Sequence, residues 1–353
     1  MLYREYVRVD ADFIPVFSQE NDKAHQHAWK SFIPHESIRR IVQDLIAALS
    51  GERQENRKAL WMTGAFGTGK TYAAFLIKHL LEDDLSEVKT WFDKYPPVQS
   101  LWAEFSALRL NKKIIVPVFK SASAMVRDDT RLFMEIQSAV KNSLRAKGFA
   151  KTDAATLRDM VIGELLNAES TFNFDAAIRK YPQEFPIGAT ADMIRAHVNA
   201  NPEDTSILMN ILHVMEKEGR YLISGPEEMK AWLADIIRQN KVDAIVLIWD
   251  EFTDYFRNNN AVSSLQELAH ASASIPFFLF LITHRDLEQF GAMDAEARRV
   301  LRNRFYMHNL AMNDLTSYQL MGNAILPVER NKTVWENKRD TLWDIQPVLL
   351  SER

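Results

Sequence analysis

Gly64-Ala65-Phe66-Gly67-Thr68-Gly69-Lys70-Thr71 satisfies every fixed position of the pattern G-x-x-x-x-G-K-[ST], a spacing suited to clustered phosphate charge. Backbone N–H groups approach phosphate closely only where no Cβ intervenes, and glycines at 64, 67 and 69 leave that space. Lys70 is then expected to reach the β- and γ-phosphates of a nucleoside triphosphate. Thr71 would ligate Mg2+ at the start of a helix whose dipole favours the same anion, and Tyr72 completes the candidate nucleotide-binding set.

A second group of residues could act on what the first group holds. Ala244-Ile245-Val246-Leu247-Ile248-Trp249 is an unbroken apolar run that ends in Asp250-Glu251. Such a run suits a central parallel strand buried on both faces, and its C-terminal end is where open α/β sheets bind ligands. Asp250 is expected to hold Mg2+, directly or through water, and Glu251 to polarise an attacking water as general base. A further apolar run, Pro276–Ile282, ends in Thr283-His284-Arg285-Asp286, placing polar side chains where a γ-phosphate or lytic water would lie.

These residues work only if the right elements carry them. Lys58–Thr63 reads as a short buried strand before the glycines, and Ala73, Leu76, Ile77 and Leu80 continue at helical spacing after them. Residues 1–35 read as an N-terminal arm, with one strand near Phe13–Phe17; the His25-Gln26-His27 pair lacks a third ligand at metal spacing. Glu36–Leu49 forms an amphipathic helix stopped by Ser50-Gly51. Acidic Glu82–Asp84 and Pro96-Pro97 mark a break, and Lys112–Phe119 is a strand that Pro117 assigns to an edge or bulge.

Residues 124–240 then read as helix after helix, with apolar spacing in Leu132–Leu144, Ala154–Leu166, Ala191–Val198, Ser206–Glu218 and Glu227–Arg238. A crossover between parallel strands needs about a dozen residues. The far longer stretch predicts an inserted helical subdomain dividing an α/β core into residues 36–123 and 241–311, with 312–353 as a C-terminal extension.

Composition narrows the class without naming a partner. With 47% apolar and 25% charged residues the chain is that of a globular protein, and a net charge of −4 argues against a general polyanion-coating surface. Lys141, Arg145, Lys147 and Lys151 form a basic run that nucleic acid could use, although a solvated helix end is the stronger reading. No cysteine is present, so thiolate metal sites and disulfides are excluded and a reducing cytoplasm is the expected setting. The longest apolar stretches are too short to span a bilayer, so no membrane role is expected.

The order of these parts resembles the AAA+ ATPases, within the ASCE-type P-loop proteins. The likeness rests on Gly64–Thr71 and the Asp250-Glu251 strand, and it spans about residues 36–310 without the helical stretch. It implies a parallel five-stranded sheet flanked by helices, with a partial C-terminal helical lid beginning in Asp314–Ile325. Thr283-His284-Arg285 resembles the Thr-Asn-Arg sensor of that family, with His284 at the asparagine position and Thr283 as the alternative. Asn303-Arg304-Phe305 resembles the Ser-Arg-Phe of origin-recognition ATPases, which implies Arg304 as an arginine finger reaching a neighbouring subunit, with Arg302 and Arg299 as competitors.

The resemblance implies a Mg2+-dependent ATPase that works as a homo-oligomer, ring or filament. Its hydrolysis would remodel or gate a macromolecular partner, protein or nucleic acid, in a setting such as bacterial defence or DNA transactions. A STAND-like switch, in which nucleotide-driven assembly is the output and turnover is slow, is the alternative. The absence of an Asn-Lys-x-Asp signature tilts the base towards adenine.

Overall fold

The structure, a computed structural model, describes residues 5–9, 18–25, 27–51, 58–122, 126, 128–151, 155–167, 170–201, 205–220, 222, 225–258, 262–291, 293–311 and 325–337. The chain opens with β1 (Val7–Val9), α1 (Gln19–Ala24) and α2 (Glu36–Ser50). β2 (Ala59–Thr63) leads through the glycine-rich turn into α3 (Lys70–Glu82), followed by α4 (Leu85–Lys94), α5 (Pro96–Gln99), α6 (Trp102–Asn111) and β3 (Ile115–Ser121). Six helices come next: α7 (Asp129–Ala146), α8 (Leu157–Leu166), α9 (Phe174–Lys180), α10 (Ala191–Ala200), α11 (Thr205–Lys217) and α12 (Pro226–Asn240). β4 (Ala244–Asp250), α13 (Thr253–Asn258), α14 (Ser263–His270), β5 (Phe277–Thr283), α15 (Ala295–Arg304), β6 (Phe305–Asn309) and β7 (Ile325–Pro327) complete it.

The fold is α/β, with a five-stranded, all-parallel sheet in the order β3-β4-β5-β2-β6. Every residue of β2, β4 and β5 is buried, as strands covered on both faces must be. Alternation along these strands divides the interior in two. Trp61, Leu247, Trp249, Leu279 and Leu281 face one core with Val140 of α7, Ile236 of α12 and Leu301 of α15. Leu60, Met62, Val246, Ile248, Phe280 and Ile282 face the other with Leu45 of α2, Leu76 and Leu80 of α3 and Trp91 of α4. β3 is an edge strand, which accommodates Pro117 at a position that donates no ladder hydrogen bond.

Several expectations are corrected. Helix ends do fall at Glu82–Asp84 and at Pro96-Pro97, and the three helices α4, α5 and α6, not anticipated, fill 85–111, with Pro96 and Pro97 in the first turn of α5, where a missing N–H costs nothing. Nor is the whole of 124–240 set apart from the sheet: α7 and α12 pack directly on it. A separate apolar core begins only at Leu157 and runs to Met215, joined by Met134 of α7, and it includes α9, which the spacing did not predict. The strand expected at Phe13–Phe17 and the linker 52–57 lie outside the described residues. So does most of the lid helix expected at Asp314–Ile325; beyond it, Ile325–Pro327 pairs antiparallel with Val7–Val9. Among the described residues no helix is long and apolar enough to cross a membrane.

Candidate functional site

The parallel register brings the chemistry-bearing residues to one end of the sheet. β2 and β4 are separated by β5, so the ends of all three strands converge on the glycine-rich turn, the acid pair and Thr283-His284. Gly67 and Gly69 adopt φ of 80° and 82°, the left-handed region that glycine enters without a Cβ penalty. Gly64 is needed for a different reason. A Cβ there would lie 2.7 Å from the Leu310 carbonyl oxygen and 2.8 Å from the Thr68 hydroxyl.

Lys70 is buried, and its ammonium donates to the carbonyls of Gly64 at 2.8 Å and Ala65 at 2.7 Å, stiffening the turn from within. Burial holds its pKa below the usual lysine value, an effect opposed by the charges of Asp250 and Glu251. The Thr68 hydroxyl also donates to the Ala65 carbonyl. The Thr71 hydroxyl donates to Asp250 Oδ2 at 2.6 Å, so the first turn of α3 and the end of β4 are in direct contact. Asp250 is 2% exposed, and its other oxygen accepts the Glu251 N–H at 2.8 Å. Glu251 itself is exposed and sits at φ 55°, a left-handed conformation that costs a non-glycine residue about 1–2 kcal/mol. That local strain turns the chain sharply after Asp250 and sends the Glu251 side chain outward at the strand end.

The β4 end is clamped on both sides. The Trp249 indole donates to the Ala122 carbonyl at 2.9 Å, and the Ala122 N–H donates to the Asp250 carbonyl at 3.1 Å. Towards β5, the Phe252 N–H donates to the Ile282 carbonyl, and the buried Thr253 hydroxyl accepts the His284 N–H, both at 2.9 Å. Thr253 was not anticipated; nothing in Asp-Glu-Phe-Thr marks that hydroxyl as the group that fixes His284.

His284 stacks on Phe66 with ring centroids 4.0 Å apart, although Phe66 is itself 81% exposed. Its buried Nδ1 has no hydrogen-bond partner among the described residues. Burial, with Lys70 adding to the effect, holds the ring's pKa below the ordinary histidine value, which keeps it neutral near pH 7. A neutral imidazole beside a buried ammonium can exchange hydrogen bonds with water or with an anionic oxygen.

The side chains of two expected members make their bonds away from the turn. Thr283 is fully buried: its hydroxyl accepts from the Trp61 indole and donates to the Arg285 carbonyl, both at 2.8 Å. With those bonds made the Thr283 hydroxyl ties β5 to β2 and to the turn that follows it. The Tyr72 hydroxyl leaves the turn to donate to the Ala28 carbonyl, while its ring meets Phe32 edge-on. Phe32, from the segment before α2, thereby flanks Gly69, a neighbour the sequence pattern did not reveal.

Arg304 ends α15 just before Phe305, which pairs with Ala59 at the opposite end of β2 from the glycines. Five residues of strand, about 16 Å, therefore separate it from the turn of its own chain. Its guanidinium donates to His270 Nδ1 at 3.1 Å. Arg299 pairs with Glu296 and Arg302 with Glu288.

In the basic run at 141–151, Arg145, Lys147 and Lys151 are exposed. Lys141 is buried against Asp159 at 2.6 Å, and Lys147 pairs with Glu82. No protein-family model matches the chain, and no curated protein matches it significantly.

Proposed function

We propose that the chain binds ATP with Mg2+ at Gly64–Thr71 and hydrolyses it, as a P-loop ATPase of AAA+ type. The observation that carries this reading is the 2.6 Å contact between Thr71 and Asp250, the two side chains that would share one metal ion. The donor set fits the ion: a hydroxyl and a buried carboxylate on adjacent elements, both hard oxygen ligands that leave room for water and phosphate oxygens. When bound, Mg2+ supplies charge neutralisation at the β- and γ-phosphates.

The chain's own groups have separable tasks. The N–H groups of the turn and the first turn of α3 cradle phosphate oxygens. Lys70 gives up its two carbonyl partners in exchange for phosphate. Glu251 accepts a proton from the attacking water as the new P–O bond forms and the bond to the leaving diphosphate oxygen breaks, releasing ADP and phosphate. His284, held by Thr253, orients that water or the γ-phosphate.

Arg304 lies a strand's length from the turn of its own chain, so a finger role requires a second subunit. The reading is therefore of an oligomer in which assembly completes each site, with turnover coupled to a macromolecular partner.

Calorimetry of ATP binding to the wild type and to Lys70→Ala, with and without Mg2+, tests the core of it. Binding that requires Lys70 and tightens with Mg2+ is expected; equal affinity in the two proteins would remove the phosphate-binding assignment. Steady-state hydrolysis that rises with protein concentration would distinguish the motor from a slow assembly switch.

A further inference from the structure

α3 carries a second cluster at the end remote from Thr71. His79, Glu82 and Asp83 fall at i, i+3 and i+4, the spacing that puts three side chains on one face of a helix. They meet Asp22 of α1 beside a cavity of about 500 Å3, whose lining also includes Asp84 and Glu87. His79 is buried, and its ring lies parallel to that of Trp29 with centroids 5.6 Å apart, which fixes its plane.

We propose that His79, Glu82 and Asp83 form a site for a divalent transition-metal ion such as Zn2+, with Asp22 as the positioning residue. The ligating atoms lie within 4.8 Å of one another, with His79 Nδ1 3.0 Å from Asp83 Oδ1 and 3.8 Å from Glu82 Oε1. Tetrahedral bonds of about 2.1 Å place ligands roughly 3.4 Å apart, midway between those two separations. The cavity leaves space for a water as fourth ligand.

The outer contact of His79 points the same way. His79 Nε2 donates to Asp22 Oδ1 at 2.6 Å, and Asp22 is itself 7% exposed. A buried carboxylate on the far nitrogen is the arrangement that fixes the tautomer of metal-binding histidines and raises their basicity. It aims Nδ1 at Asp83 and Glu82. The helix C-terminus adds the negative end of its dipole to the same spot.

The opposing charges are specific. Lys78 bridges Asp22 at 2.9 Å and Glu82 at 2.8 Å, Lys147 pairs with Glu82, and Arg109 donates to the Leu80 and Asp83 carbonyls. A bound ion takes Glu82 Oε1 from Lys78, which keeps its bond to Asp22. Two carboxylates and a neutral imidazole then face the ion, and the Nδ1 proton leaves to solvent.

The test uses the full chain, stripped with EDTA, exchanged into chelator-free buffer without nucleotide, and titrated with Co2+ and Zn2+. One equivalent of Co2+ with the intense visible absorption of a tetrahedral site is expected. Zn2+ should displace it and release a proton, read by calorimetry in buffers of different ionisation enthalpy. His79→Gln should abolish the signal, Asp83→Asn should weaken binding at least about tenfold, and Asp22→Asn should weaken it about 10–100-fold at unchanged stoichiometry. If His79→Gln does not fold, Asp83→Asn decides alone. Absence of stoichiometric binding by the folded wild type, or wild-type affinity in Asp83→Asn, would overturn the site and leave His79 as an imidazolium clamped between Asp22 and Asp83. The outcome is independent of ATP binding.

Discussion

Thr71 and Asp250 stand 179 positions apart in the chain, yet the hydroxyl of one donates to the carboxylate of the other at 2.6 Å. The contact joins the helix after β2 to the end of β4 across the width of β5. Thr71→Val preserves the side-chain shape and removes the hydroxyl, both as donor to Asp250 and as oxygen ligand. ATP affinity measured with Mg2+ should fall to the value measured in EDTA, which itself should not change. A variant that keeps the wild-type gain from Mg2+ would take Thr71 out of the metal site.

Glu251 combines an exposed carboxylate with a strained backbone, and the two roles can be separated. Glu251→Gln keeps the backbone and removes the base, so ATP should bind normally while turnover drops by about 10²–10⁴. Glu251→Gly relieves the left-handed conformation by about 1 kcal/mol, and the greater freedom of glycine in the unfolded chain offsets most of that gain. Urea denaturation should therefore show it near wild-type stability, whereas the β-branched Glu251→Val loses about 1–2 kcal/mol. Equal stability of the two would mean that φ 55° is not strained here.

Thr283 separates structure from catalysis. Thr283→Val leaves the Trp61 N–H buried without its acceptor, a loss of about 1–3 kcal/mol in unfolding free energy. Nucleotide affinity and turnover of the folded fraction should stay within about twofold of wild type. A large drop in turnover at unchanged stability would return Thr283 to the sensor role.

Arg304→Ala should leave nucleotide affinity unchanged, because the residue lies at the far end of β2 from the glycines. Assembly-stimulated hydrolysis should fall by about 10³–10⁵ if the guanidinium completes a neighbour's site. Turnover is to be measured across protein concentration. A variant that retains the stimulated rate would shift the finger to Arg302 or Arg299.

How much of this was legible follows from the range of each interaction. β2, β4 and β5 are readable because burial on both faces demands continuous apolar runs, and the glycine spacing and acid pair are local patterns. The hydrogen bonds of the Tyr72 and Thr283 hydroxyls were not, because their partners Ala28 and Trp61 stand 44 and 222 positions away. Pro96-Pro97 marked a true boundary, but not the new helix that proline at its first turn begins. The extent of the helical subdomain was hidden as well. α7 and α12 have the same periodicity as their neighbours, and only the packing partner tells a sheet-covering helix from an inserted one.

His284 sets the last expectation, on acid stability. Burial and the nearby Lys70 hold its pKa below that of the unfolded chain, so on acidification the unfolded chain takes up its proton first, near pH 6.5. Between that pH and the lower folded value the unfolded state binds more protons, and stability falls as pH falls; above about 6.5 the ring contributes no slope. His284→Asn removes this contribution while leaving His35 and His270, which burial shifts in the same direction. Urea titrations at pH 7.5 and 5.5 should therefore show a smaller acid loss in the variant than in the wild type. Phe66→Ala uncovers the ring's stacked face and should act the same way without removing the histidine. Identical acid losses in all three proteins would mean that the Phe66 stack and Lys70 do not control the proton on His284.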